Sequence, residues 1–255
     1  MRCLSRWKKL IESFRKRIFE FVICTPTHRI TPFANYNRNS VLIKACIFDL
    51  DGVLVDTAQY HFLAWSRLAK ELGIEFTAAD NERLKGVSRM RSLEIILELG
   101  GVSLSETEKA DLADKKNKWF VEYLGQMAPG EIFPGVKSLL ERLREMGIKV
   151  AVASSSKNAE TVLGLLHIQD AFDTVVDGTM VTNAKPDPEI FLLAARKLEV
   201  DPAECVVFED AAAGVEAALA AGMKCIGVGS PTQLGHANRV IAKAGEFKTT
   251  ELKEL

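Results

Sequence analysis

The chain has 255 residues, 47% hydrophobic and 26% charged, with a formal net charge of -1. That length suits one large soluble domain, or a core carrying an insert, and the near-neutral balance offers no global positive field for nucleic acid. The five cysteines (Cys3, Cys24, Cys46, Cys205 and Cys225) are odd in number and lack CxxC spacing, which argues against a disulfide framework or zinc site and for a reducing, cytoplasmic setting.

Residues 1–40 carry nine Lys and Arg against Glu12 and Glu20. They read as a basic helix near Trp7–Ile23, followed by a Thr-, Pro- and Asn-containing linker. The apolar run Ile18–Cys24 falls well short of the roughly 20 residues needed to span a bilayer. A membrane-surface helix or a transit peptide would use the basic residues, but both glutamates count against each. The reading adopted is a dispensable N-terminal extension with no membrane partner.

The apolar run Val41–Phe48 stops abruptly at Asp49-Leu50-Asp51-Gly52. A short run rich in Val, Ile and Phe reads as a buried strand of a parallel sheet, and open α/β sheets bind ligands at the carboxyl ends of their strands. Two acids at i and i+2 repel each other, and a hard cation such as magnesium, shared with a substrate phosphate, relieves that repulsion. An aspartate so neutralised can attack phosphorus while its neighbour moves a proton. On this stretch alone, Asp49 and Asp51 serving as helix caps remains an alternative.

From residue 57 to about 127 nothing has strand character. Asp56–Leu72 has helical spacing and stops at Gly73, Ser92–Leu99 is broken by Gly100-Gly101, and Ser105 with Glu108 forms a capping box opening a long helix toward Leu124. Pro129, Gly130, Pro134 and Gly135 close this helical block. Strict alternation follows: helix 136–146, strand 148–153, helix 159–166, strand 172–176, helix 188–198, strand 205–208, helix 211–221 and strand 224–228. This pattern specifies a doubly wound, Rossmann-like parallel sheet. The expected organisation is an α/β core at 41–56 and 129–255 and an inserted α-helical cap at 57–128.

Later strand ends add chemistry. Ser154-Ser155-Ser156-Lys157-Asn158 offers hydroxyls and free amides to phosphate oxygens, although a serine-rich helix cap would read the same way. Lys185, in the rigid loop Ala184-Lys185-Pro186-Asp187-Pro188 just before a helix, can offset charge on phosphorus. Glu209-Asp210 is a second acidic pair at a strand end. Gly227 and Gly229 lack the third glycine of a dinucleotide fingerprint, and there is no Walker loop.

This order of Asp-x-Asp, Ser, Lys and acidic strand ends over about residues 43–230 resembles the haloacid dehalogenase (HAD) superfamily of phosphotransferases. The resemblance implies Asp49 as nucleophile, Asp51 as acid/base, Ser154 and Lys185 as phosphate stabilisers, and magnesium held by Asp49, the Asp51 carbonyl, Glu209 and Asp210. The stretches Asp56-Thr57-Ala58, His61 with Trp65, Leu84-Lys85-Gly86-Val87-Ser88-Arg89 and Lys116-Asn117 further resemble the β-phosphoglucomutase family. There the cap closes on a sugar phosphate. Arg89, Lys116 and Lys85 then match groups binding the distal phosphate, and His61 a group linking closure to Asp51. Ordinary packing of His61 and Trp65 and a solvated face for Lys85 and Arg89 are the competing readings of those residues taken singly. Ala211 and Ala212 depart from the polar residues familiar after the acidic pair.

The resemblance implies a magnesium-dependent isomerase of carbohydrate metabolism, interconverting β-glucose 1-phosphate and glucose 6-phosphate through a phosphoprotein intermediate; a monomer is expected because no large exposed apolar helix demands a partner. A sugar-phosphate phosphatase, which releases the phosphoryl group to water, is the alternative. A non-catalytic sugar-phosphate sensor is a third, opposed by the complete set of Asp49, Asp51, Lys185, Glu209 and Asp210.

Overall fold

The structure, a computed structural model, describes residues 42–84 and 87–255. The expectations for the basic extension therefore lie outside the described residues, as do those for Lys85 and Gly86.

Six parallel strands form one sheet in the order β3-β2-β1-β4-β5-β6: β1 Ala45–Phe48, β2 Lys149–Ala153, β3 Thr174–Val176, β4 Cys205–Glu209, β5 Lys224–Val228 and β6 Arg239–Ile241. The hydrophobic runs are continuous because both faces are covered. Cys46, Phe48, Val150, Val152, Val206 and Phe208 point into one apolar cluster, and Ala45, Ile47, Ala151, Ala153, Cys205 and Val207 into the other, which is the period-2 alternation of a strand buried on both sides. Phe48 and Phe208 stack across β1 and β4 with ring centroids 4.6 Å apart.

Among the described residues of the block 57–128 that follows β1 lie four α-helices, α1 Ala58–Glu71, α2 Ala78–Glu82, α3 Arg89–Gly100 and α4 Glu106–Leu124. The capping box at Ser105 and Glu108 is present, with Glu108 accepting from the Ser105 amide at 2.8 Å. The helices α5 Val136–Glu145, α6 Ala159–Leu165, α7 Glu189–Leu198, α8 Ala212–Ala220 and α9 Pro231–Leu234 alternate with the later strands. Leu68, Leu93 and Phe120 of α1, α3 and α4 join the same apolar cluster as Leu139 and Leu143 of α5. Where the chain passes from sheet to helical block and back, Val55 bridges Ile132, the Phe133 amide donates to the Leu54 carbonyl at 2.9 Å, and the Tyr60 hydroxyl donates to Glu131 at 2.7 Å.

Two local readings change, and two elements are added. The first strand is only Ala45–Phe48, since Ala45 is the first residue with Cα partners on both sides, Lys149 and Cys205, whereas Leu42 is exposed. The third strand begins at Thr174, because a 3₁₀ turn occupies Gln169–Ala171. Helix α2 and strand β6 carry too few apolar residues to show periodicity. The first is fixed by a Thr77–Asp80 capping box and the second by pairing with β5. Among the described residues, no helix is long and apolar enough to cross a membrane.

Candidate active site

Strands β2, β1 and β4 are neighbours in the sheet, so their carboxyl ends place Ser154, Asp49 with Asp51, and Glu209 with Asp210 along one edge. Carboxylate oxygens of Asp49, Glu209 and Asp210 lie within 4.8 Å of one another. Lys185 arrives from the loop after β3. Its ammonium lies 2.5 Å from Asp49 Oδ1 and 2.8 Å from Glu209 Oε2, with Phe191 beneath it at 4.9 Å. Burial works against the Lys185 charge, but Asp49 and Glu209 more than offset it and its pKa is raised.

One ammonium against four carboxylates leaves excess negative charge. Burial pushes Asp51 up to about 7, reinforced by Asp49. Burial likewise raises Glu209 to about 7 against the pull of Lys185, and raises Asp210 to about 8 with the help of Glu209, Asp49 and Asp51. The cluster therefore suits an oxygen-loving divalent cation. The Asp51 carboxylate stands apart from the three-acid group and accepts a hydrogen bond from the Thr57 hydroxyl.

Two glycines make the room. A Cβ on Gly52, whose φ is +74°, would fall 2.0 Å from Asp210 Oδ2, and one on Gly214 would fall 2.0 Å from the carboxylate carbon of Glu209. Gly52 is visible in the sequence as part of the acidic turn. Gly214 falls inside the helix read over 211–221, and only the fold reveals that Glu209 lies against it.

From this edge a cavity of about 680 Å³ runs to the helical block. Its far end is cationic. Lys116 of α4 is 2% exposed, and among the described residues no carboxylate comes within ion-pair range of it. Its ammonium is 2.7 Å from His61 Nδ1 and lies over the rings of Trp65 at 4.3 Å and Phe120 at 4.7 Å. Burial, then the charge of Arg89, lowers the Lys116 pKa, and burial with Lys116 and Arg89 keeps His61 neutral. His61 thus accepts from Lys116. Arg89, at the start of α3, lies in the same wall, and among the described residues its one ion pair is a 3.8 Å contact to the exposed Asp114.

Thr57, Val87, Asn117, Ser155, Ser156, Lys157 and Asn158 also line the cavity. Asn158 donates to Asn117 at 2.9 Å, joining α4 to the loop after β2. The Ser154 and Ser156 hydroxyls accept from the amides two residues on, at 3.1 and 3.2 Å, which sets the tight turn around the strand end. Ser88 does not line the cavity; its hydroxyl accepts from the Arg91 amide as the N-cap of α3. The sequence reading missed Asn81, Ser92, Ser230 and Gln233 in the wall. Ser92 lies three residues after Arg89 and so shares its helical face, but the other three come from distant segments without a local signal.

The model of the haloacid dehalogenase-like hydrolases matches residues 43–222. The β-phosphoglucomutase of Bacillus subtilis is 44% identical over 83% of this chain and 95% of its own length. A phosphorylated carbohydrates phosphatase of Thermotoga maritima is 38% identical over 72% of this chain and 84% of its own. The crystal structure of a Clostridium difficile β-phosphoglucomutase superposes with a TM-score of 0.81 at 44% identity, covering 84% of this chain and 96% of that one. With the acidic strand ends, the lysine between them and the helical block after β1 all in place, the chain belongs to the haloacid dehalogenase-like hydrolases and, among them, to the β-phosphoglucomutase group.

Proposed function

We propose that the protein interconverts β-D-glucose 1-phosphate and D-glucose 6-phosphate through a β-glucose 1,6-bisphosphate intermediate and a phosphorylated Asp49. The observation that carries this reading is one cavity with two phosphate-receiving ends, the acid and lysine edge at Asp49 and the cage around Lys116 with Arg89. A phosphatase for a monophosphate needs only the first. An unpaired buried ammonium is costly, and a dianionic phosphate is the ligand that would repay it through charge-assisted hydrogen bonds, with the Arg89 guanidinium gripping it bidentately.

In this mechanism Asp49 attacks phosphorus, and the oxygen that leaves takes a proton from Asp51. The Asp51 pKa near 7 suits a group that gives a proton in one half-reaction and removes it from a sugar hydroxyl in the other. Lys185 and the turn at Ser154–Ser156 receive the charge of the transferring oxygens. Asp49, Glu209 and Asp210, with the Asp51 carbonyl, would hold magnesium, which when bound screens the anionic phosphate from the carboxylate that attacks it. His61 orients Lys116, Trp65 walls the cage, and residues 57–128 act as a cap whose closure keeps water from the phosphoenzyme. Lys85, which lies outside the described residues, would by resemblance bind the same distal phosphate. The enzyme acts as a monomer in a reducing cytoplasm, where Cys46, Cys205 and Cys225 remain free buried thiols.

Phosphorus NMR of the protein with β-glucose 1-phosphate, magnesium and catalytic glucose 1,6-bisphosphate tests the proposal. Glucose 6-phosphate formed by wild type and not by Asp49→Asn is expected. Free phosphate alone would replace the mutase with the phosphatase reading.

A further inference from the structure

Lys185 is buried between two acids, yet it belongs to a loop that no sheet ladder holds. Thr182, Asn183 and Ala184, which precede it, are exposed. Apolar packing is therefore not what fixes the backbone there. Side chains do so instead. Glu189, the first residue of α7, reaches back along the chain; its carboxylate accepts from the Thr182 amide at 3.1 and 3.2 Å and from the Asn183 amide at 2.7 Å. Asp187 accepts from the Glu189 amide at 2.9 Å, and the Asp187 amide donates to the Ala184 carbonyl at 3.0 Å. The anchor itself is rigid, because Ile190 and Phe191, which follow it, are buried in the apolar cluster beneath the sheet.

An acid at a helix start is favourable in any case, but dipole compensation alone would not need contacts six and seven residues back. Those amide contacts hold the Glu189 pKa below the usual carboxylate range, so the clamp is ionised at neutral pH and its hydrogen bonds are charge-assisted. They close two backbone amides just upstream of Lys185, with the Ala184 carbonyl tied from the other side.

We propose that Glu189 is a positioning residue that fixes the loop carrying Lys185, and so sets where the Lys185 ammonium meets the transferring phosphoryl group. This rests on the reading of Asp49 as phosphoryl acceptor. Lys185 has a long stem that enters the site from one side, so a backbone displacement of the order of 1 Å would carry its ammonium out of contact with Asp49, and misplacement of that size typically costs one to two orders of magnitude in rate.

The test compares wild type, Glu189→Ala, Glu189→Gln, Lys185→Ala and the Glu189→Ala/Lys185→Ala double variant. Acetyl phosphate with magnesium labels Asp49: the phosphorus–oxygen bond to acetate breaks, the bond to the carboxylate forms, and acetate leaves. Glu189→Ala should slow labelling about tenfold with the KM for β-glucose 1-phosphate within about twofold of wild type. Glu189→Gln keeps an acceptor oxygen and should fall in between. In the Lys185→Ala background, Glu189→Ala should cost less than about twofold more, because both act through one group. Hydrogen exchange at the Thr182 and Asn183 amides should quicken in Glu189→Ala without a general loss of protection. Unchanged labelling in Glu189→Ala, additive losses in the double variant, or unchanged exchange at these two amides would overturn the proposal. Failure of wild type itself to label Asp49 would instead overturn the functional reading, and the exchange measurement would still decide whether the clamp exists.

Discussion

Lys116→Met sets stability against function at one atom. The wild-type ammonium is 2% exposed, and burying an ion costs several kcal/mol after relaxation. Partial compensation comes from His61 at 2.7 Å, a hydrogen bond to a charged group worth about 1.5–3 kcal/mol, and from the rings of Trp65 and Phe120 at 4.3 and 4.7 Å, each worth about 0.5–2 kcal/mol. These terms nearly cancel. Methionine fills a similar volume with no charge to desolvate, so the variant should be more stable by about 1 kcal/mol, which is about 2–4 °C in Tm for a chain of this size. The gain should depend on pH. Burial lowers the Lys116 pKa, so the cost of its charge is full below that lowered value and fades as pH rises from it toward the ordinary lysine value. Function should move the other way. Losing a charge-assisted bond to the distal phosphate, about 1.5–3 kcal/mol, should raise KM for β-glucose 1-phosphate about 10- to 150-fold. Differential scanning calorimetry at pH 7, paired with steady-state kinetics, gives both numbers. An unchanged KM would refute the cage as a phosphate site, and a Tm lowered by several degrees would refute the near-cancellation of burial cost against the His61, Trp65 and Phe120 contacts in the free protein.

Gly52→Ala should leave the fold assembled but weaken magnesium affinity at least about tenfold by isothermal titration calorimetry, since second-sphere disturbance of a metal site commonly costs 10- to 100-fold. The added Cβ would lie 2.0 Å from Asp210 Oδ2 at a φ of +74°, so undiminished affinity would disprove the role given to Asp210. The metal-free protein should also lose Tm as pH rises from 5 to 8. Asp51, Glu209 and Asp210 have folded pKa values raised to about 7, 7 and 8. These three raised acids hold protons in the folded state that the unfolded chain has lost in that window, and their loss of stability with rising pH outweighs the opposite contribution of the two lowered groups, His61 and Lys116. Magnesium should restore most at pH 8. A Tm that climbs across that window in a chelator would contradict the raised values.

Much of the site was legible because it is written in short, local grammar. Asp49, Asp51 and Gly52 stand where an apolar run ends, and Glu209-Asp210 and Ser154 stand where two others end. The alternation of strand and helix then forces those ends onto one edge, since parallel strands in a doubly wound sheet all present the same end. Helix boundaries at Ser105 and Gly73 were likewise set by residues within a turn of them. Strand order was not legible, because β1 lies between β2 and β4 through pairings across more than a hundred residues, and no local pattern encodes a partner. Nor was the reach of Lys185 to both Asp49 and Glu209, the space that Gly214 leaves for Glu209, or the return of Glu189 onto its own loop. The cage at Lys116 shows the division most clearly. The sequence by itself determined that Lys116, His61 and Trp65 lie on amphipathic helices, where solvent or core was an equally good destination for each. The tertiary structure decided that α1 and α4 turn these faces toward each other, and burial then made an ordinary surface lysine into an unpaired charge that calls for an anion.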